Sequence, residues 1–176
     1  MKCRCGCGRN TETCSETYGN PFKKPIKKVL VFDINFMGDM LMSSPVMRCL
    51  KDNGVEQVDV VAWDFCVEIL QGNPYIDTIY PVKKHALGQA IAARFRKYDL
   101  ILQLNTSLKT NILMWIAGGK DRLGYSWKWK GFGLTIKVPI SHRTALKGYR
   151  VGECIGLLEK GLGWTCKNRE MIYDCD

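Results

Sequence analysis

Lys28–Leu50, KVLVFDINFMGDMLMSSPVMRCL, is the segment on which the fold turns. KVLVFD is a short apolar run without polar alternation, the pattern of a strand buried on both faces. Ile34 to Asp39 follow as a loop, and Asp39–Asn53 reads as a helix, kinked or restarted at Pro45 and stopped by Asn53-Gly54. Gly38 allows the loop a positive φ or a close approach of ligand to backbone. Asp39 stands where the helix dipole favours its charged form. Two readings of it stay open. As an N-cap it would satisfy free N–H groups. As a base it would take a proton from a substrate hydroxyl at the mouth of a ligand site. The loop is no dinucleotide fingerprint, since G-x-G-x-x-G needs three glycines and only Gly38 is present.

Outward from this segment, strands and helices alternate. Gln57–Ala62, Asp77–Val82, Tyr98–Leu104, Asp121–Tyr125 and Leu134–Val138 read as strands. Helices are expected at Asp64–Gln71, Ala86–Lys97, Ser107–Ala117 and Thr144–Gly161. Alternation of this kind predicts an α/β fold, a Rossmann-like parallel sheet with helices on both faces. Ligands in such folds bind outside the carboxyl ends of the strands. The loops after Asp33, Ala62, Leu104 and Leu123 are therefore the ones to watch. Gly148, Gly152 and Gly156 recur every four residues, an expected flat face for backbone packing. Residues 1–26 read as a polar, Cys-rich leader and 27–166 as the expected domain.

The chain has 176 residues, 46% of them hydrophobic and 24% charged, which fits one globular domain and excludes a disordered or fibrous chain. No apolar run approaches the ~20 residues of a membrane span, and MKCRCGCGRN lacks the apolar core of a secretory signal. A cytoplasmic location is the expectation. The net charge is +9 and uneven: Lys109 to Arg150 hold nine Lys and Arg against one acid, Asp121. Such a field attracts phosphates of any origin, or simply solubilises. Of nine Cys, Cys49 and Cys66 fall in apolar helical patterns and read as reduced core thiols. Cys3, Cys5, Cys7 and Cys14 lack C-x-x-C spacing, so a reduced leader is preferred to a zinc site. No metal or cofactor is expected. No RNA- or DNA-reading motif accompanies the charge, so nucleic acid is not an expected partner.

Five segments in order resemble the heptosyltransferases, glycosyltransferase family nine. The first is KVLVFDINFMGDMLMSSPVMRCLK, similar to a strand followed by x-x-GD-x-L-x-(T/S)-x-P-(A/V)-(L/M)-R-x-L-K. NPYIDTIYPV and YDLILQLNTSLKTNIL are similar to two further motifs. Asp121-Arg122-Leu123-Gly124-Tyr125 and the stretch Tyr149–Gly163 complete the series. Three positions depart from the pattern. Gln103-Leu104-Asn105-Thr106 stands for Asp-Leu-Gln-Gly, Tyr149 for a common His, and Gly152 for a Glu or apolar residue.

The resemblance implies the N-terminal half of a GT-B fold, the half that receives the acceptor. It implies a metal-independent, inverting transfer from a nucleotide-sugar, ADP-heptose-like, to a hydroxyl of a phosphorylated glycolipid core. Asp39 falls on the proposed base. Gly38, Asn35, Thr106, Ser107, Lys109, Arg122, Lys128 and Lys130 would contact the anionic acceptor, and Trp127 and Trp129 would pack on sugar or lipid or anchor a loop. The resemblance implies that the nucleotide-sugar is held by a C-terminal domain outside this chain, with 167–176 the truncated start of the interdomain linker, so the isolated chain is expected to be inactive. Peripheral contact with the inner face of the plasma membrane is the matching location. A non-catalytic module that binds acceptor or phosphate with the same fold is the alternative.

Overall fold

A computed structural model describes residues 25–127, 131–140 and 149–172. The expected alternation is present: β1 (Lys28–Phe32), α1 (Met37–Asp52), β2 (Gln57–Trp63), α2 (Val67–Gln71), β3 (Thr78–Val82), α3 (Leu87–Arg96), β4 (Leu100–Gln103), α4 (Leu108–Ala117), β5 (Asp121–Ser126), β6 (Ile136–Pro139) and α5 (Arg150–Leu162). The six strands form one sheet in the order β3-β2-β1-β4-β5-β6, and every paired register is parallel. The order reverses between β1 and β4, which opens a crevice at their carboxyl ends.

Strand alternation assigns the two faces of the sheet. Val29 and Val31 of β1 and Val58 and Val60 of β2 point to one core, where α1 and α5 pack on each other and on the sheet. Leu30, Phe32 and Val61 point to a second core, closed by α3 and α4. Polar residues buried in strands find partners. Asp59 accepts from Tyr98 at 2.5 Å and from Gln57 at 2.9 Å.

α1 departs from the expectation at both its start and its middle. It begins at Met37, with Phe36 as N-cap, so Asp39 is in the first turn and is not the cap. Gly38 is helical, without positive φ, and a Cβ there would meet nothing within 4 Å. It is not a turn glycine. The helix also runs through Pro45 unbroken. Proline has no N–H for the carbonyl four residues back. Here Ser44 Oγ donates to that Leu41 carbonyl at 2.7 Å, so the acceptor stays satisfied.

The cysteines bring a second correction. Cys49 is not a reduced thiol: it is bonded to Cys166, with Cα atoms 5.2 Å apart. Cys66 and Cys154 are buried thiols, not joined in a disulfide. Two helical patterns with similar apolar periods gave no sign of which thiol had a neighbour 117 residues away. The chain beyond α5 stays on the domain. Asn53 donates to the Thr165 carbonyl at 3.5 Å, Arg169 meets Glu159 at 2.8 Å, and the Ile172 N–H donates to Ser44 Oγ at 2.8 Å. The Cys3–Cys14 cluster lies outside the described residues. Among those described, no three metal-ligating side chains cluster.

The glycine stripe holds only in part: Gly156 is buried, as a packed face requires. Gly152 faces open space, and Gly148 lies outside the described residues. The close approach is made by Gly161, whose added Cβ would strike the buried Leu123 side chain of β5. Gly161→Ala should therefore lower stability by about 1–3 kcal/mol through overpacking. Gly152→Ala should raise it by about 0.5–1 kcal/mol through helix propensity. Urea unfolding of the two variants checks the contrast, and a shift of the same sign in both would refute this packing.

Candidate active site

The chain leaving β1 carries Asp33, which is fully buried. Its carboxylate accepts from Ser43 Oγ on α1 and from Asn35 Nδ2 at 2.6 Å. Burial pushes its pKa up, against the pull of these two donors and of the Arg150 guanidinium. Asp33 is thus the buried anchor of the β1–α1 loop. It orients Asn35 and ties α1 to the strand end.

One turn along α1, Asp39 is half exposed and faces Arg150, the first residue of α5, with Oδ1 3.5 Å from Nε. That separation is an ion pair and not a hydrogen bond, and Nε makes no hydrogen bond. Each of the two terminal nitrogens makes one hydrogen bond. Nη1 donates to Glu153 at 3.1 Å and Nη2 to the Leu104 carbonyl, at the end of β4, at 2.7 Å. Burial opposes the Arg150 charge, but Cys154, Glu153 and Asp39 beside it hold its pKa above the ordinary value. Arg150 therefore joins the β4 end, α5 and α1, and presents one free N–H edge to the Asp39 carboxylate. This arrangement sets a buried cation beside the Asp39 carboxylate, whose side chain is 42% exposed.

Arg150 and Asp33 were not among the residues picked from sequence. A signal for Arg150 was present: a cation in the first turn of a helix opposes the helix dipole and so calls for an anionic partner. The signal for Asp33 was an acid ending an otherwise apolar strand.

On the opposite side of the same strand ends lies a cleft of about 620 Å³. Ile34, Trp63 and Val82, beyond β1 or ending β2 and β3, form its floor, and Leu87, Ile112 and Ile116 form its walls. Asn105, Ser107, Lys109, Lys84 and His85 supply its polar lining. The β4–α4 loop is held inward. Gln103 donates to Asn105 Oδ1 at 2.7 Å and to the Ser107 carbonyl at 3.1 Å, and the Ser107 N–H donates to Asn105 Oδ1 at 3.2 Å. Asn105 Nδ2 reaches back to the Ile34 carbonyl at 3.4 Å.

The structure thus gathers part of the expected set. Ser107 and Lys109 line the cleft, Thr106 lies in the same loop, and Asn35, Gly38 and Asp39 follow β1. Asp39 is held on the α1–α5 side and is not in the cleft wall. Arg122 is a correction. It sits near the amino end of β5, paired with Ile101 of β4, away from the strand carboxyl ends. Its guanidinium donates to the Gly119 carbonyl at 2.9 Å and to the Gly133 carbonyl. It fastens the β5–β6 turn and is not available to an acceptor. Trp127 is half exposed, and Lys128, Trp129 and Lys130 lie outside the described residues.

A Rossmann-like sheet with polar groups converging at its switch point is the arrangement at which α/β domains bind ligands. No protein-family model matches the sequence. The chain is 28% identical over 131 residues to lipopolysaccharide heptosyltransferase 3 of Escherichia coli, covering 68% of this chain and 38% of that protein. Among solved structures, a glycosyltransferase family 9 protein of Veillonella parvula superposes with TM-score 0.70 at 20% identity, over 85% of this chain and 45% of the other. The E. coli heptosyltransferase WaaC, solved with ADP, gives 0.65 at 18% identity, over 82% and 50%. The fold is that of part of the GT-B glycosyltransferases. These matches support a glycosyltransferase family 9 assignment for the part of the chain they cover. The chain spans half or less of the length of these relatives.

Proposed function

We propose that this chain is the acceptor-side half of an inverting glycosyltransferase that moves a sugar from a nucleotide-sugar, ADP-heptose-like, to a hydroxyl of a phosphorylated glycolipid. The observation that carries the reading is Asp39. It is a solvent-reachable carboxylate at the carboxyl end of the sheet, paired with the Arg150 side chain at 3.5 Å. The acceptor hydroxyl oxygen would attack the anomeric carbon as Asp39 takes its proton. The bond from that carbon to the diphosphate would break, and the nucleoside diphosphate would leave with the electron pair. Lys109 and Lys84 at the cleft would attract the acceptor phosphate. The relatives named above support the donor class, and the nucleotide-sugar would be held by a partner domain.

A second reading is favoured by one feature: Asn105, Ser107 and Lys109 line the cleft, whereas Asp39 does not. A non-catalytic module that only binds the anionic glycolipid would need no more than this. Titration calorimetry with a phosphorylated heptose-core acceptor and with ADP-heptose tests the shared part. The chain should bind the acceptor, Lys109→Ala should weaken that binding by about 5–10-fold, and the nucleotide-sugar should give no heat. Tight nucleotide-sugar binding would overturn the acceptor-side assignment.

A further inference from the structure

We propose that Cys49–Cys166 is a reversible redox site, opened by small thiols of the glutathione class, that holds or releases residues 164–172 as a strap along α1. The strap leaves α5 after Gly163 and runs antiparallel to α1. The Thr165 carbonyl accepts from Asn53 Nδ2 at 3.5 Å, Cys166 is bonded to Cys49, and the Ile172 N–H donates to Ser44 Oγ at 2.8 Å. Asn53, Cys49 and Ser44 are thus met in turn, over about 13 Å of helix. The strap has no helix or strand of its own, and residues 167–171 are all exposed. Besides the disulfide and these hydrogen bonds, it is fastened by Trp164, partly buried against the core, and by the Arg169–Glu159 ion pair at 2.8 Å. Hydrogen bonds and ion pairs open to water hold weakly, so the disulfide decides whether the strap stays in place.

The core does not depend on the strap. Both faces of the sheet are covered by helices that end before residue 164, α1 with α5 on one side and α3 with α4 on the other. The far end of the strap is fixed on Ser44, whose hydroxyl also donates to the Leu41 carbonyl that Pro45 leaves without an N–H. Release therefore acts on α1 where its backbone ladder lacks one bond, in the helix that carries Asp39 in its first turn. It also moves the last anchored point of the chain from Ile172 back to Trp164, which frees about 25 Å of extended chain. In the exchange, a thiolate attacks the sulfur of Cys166, the less buried partner at 5% exposure against 1%, and Cys49 leaves as a thiolate that takes up a proton. A second thiolate attacks the mixed disulfide and displaces Cys166. Two electrons pass to the protein, two small thiols become one disulfide, and the reverse steps restore the strap. The inference does not rest on sugar transfer.

Hydrogen exchange of the full chain in glutathione buffers tests it. With oxidised glutathione the Ile172 amide should be protected. With excess reduced glutathione, alkylation mapping should find Cys49 and Cys166 as thiols. Exchange across residues 164–172 should then rise about tenfold or more within minutes, while the amides of β1, β2 and β4 stay protected. Reoxidation should restore the slow exchange. In Cys166→Ser the strap should exchange fast under both conditions. The proposal is overturned if reduced glutathione leaves the bond of the folded protein intact, or if the strap stays protected after reduction. Exchange of the sheet amides along with the strap would overturn it too, as would a response of Cys166→Ser to the buffer.

Discussion

Asp39→Asn should lower kcat by about 10²–10⁴ in a transferase assay with a nucleotide-sugar-binding domain supplied, with the fold left intact. Asn has the same shape and keeps an oxygen for Arg150, but it cannot take the acceptor proton. The loss corresponds to about 3–5.5 kcal/mol of transition-state stabilisation. The stability effect should be small. The Asp39 side chain is 42% exposed, so its ion pair is screened, and Arg150 keeps its bonds to Glu153 and the Leu104 carbonyl. Melting temperature and KM should therefore move little while kcat collapses. An unchanged kcat would remove Asp39 from the chemistry and leave the binding-module reading, in which the cleft residues act alone.

Reduction of the Cys49–Cys166 bond should be the largest purely structural effect. The bond joins residues 117 apart in sequence and ties the end of α1 to the segment after α5. Closing so long a loop restricts the unfolded chain, and breaking the link should cost about 2–4 kcal/mol. For a domain of this size that is a fall in melting temperature of about 5–15 °C. The same fall should appear in Cys49→Ala with Cys166→Ala, without further change on adding reductant. Cys66 and Cys154 should react with a thiol reagent only on unfolding, because both are buried. Identical melts with and without reductant would show that this bond does not brace the domain. The bond also has a geometric consequence. α1 carries Asp39 and α5 carries Arg150, so the two helices that form the ion pair are pinned at the other end of α1.

The sequence by itself determined the parallel α/β order, because continuous apolar runs and amphipathic helical periods are local properties. KVLVFD predicts a doubly buried strand, and Val29, Leu30, Val31 and Phe32 are indeed fully buried, alternating between the two cores. It also marked Asp39 as a carboxylate following the first strand, whereas Ser107 and Lys109 were implied by the family resemblance. Pro45 does not restart the helix, because its effect depends on whether another donor takes the freed carbonyl, and that donor is the neighbouring Ser44 side chain.

Only the tertiary structure decided which residues meet. Arg122 and Arg150 are both arginines in a basic region of sequence. One is spent on carbonyls at the amino end of β5, while the other bridges β4, α5 and Asp39. Gly161 and Gly152 occupy the same helix, but one abuts Leu123 and the other faces open space. Cys49 and Cys66 share a local pattern and differ only in what lies across from them. Strands and helices follow from neighbours along the chain. Ion pairs, close approaches and a disulfide depend on contacts between residues tens to more than a hundred positions apart, and those exist only once the sheet has set the helices against one another.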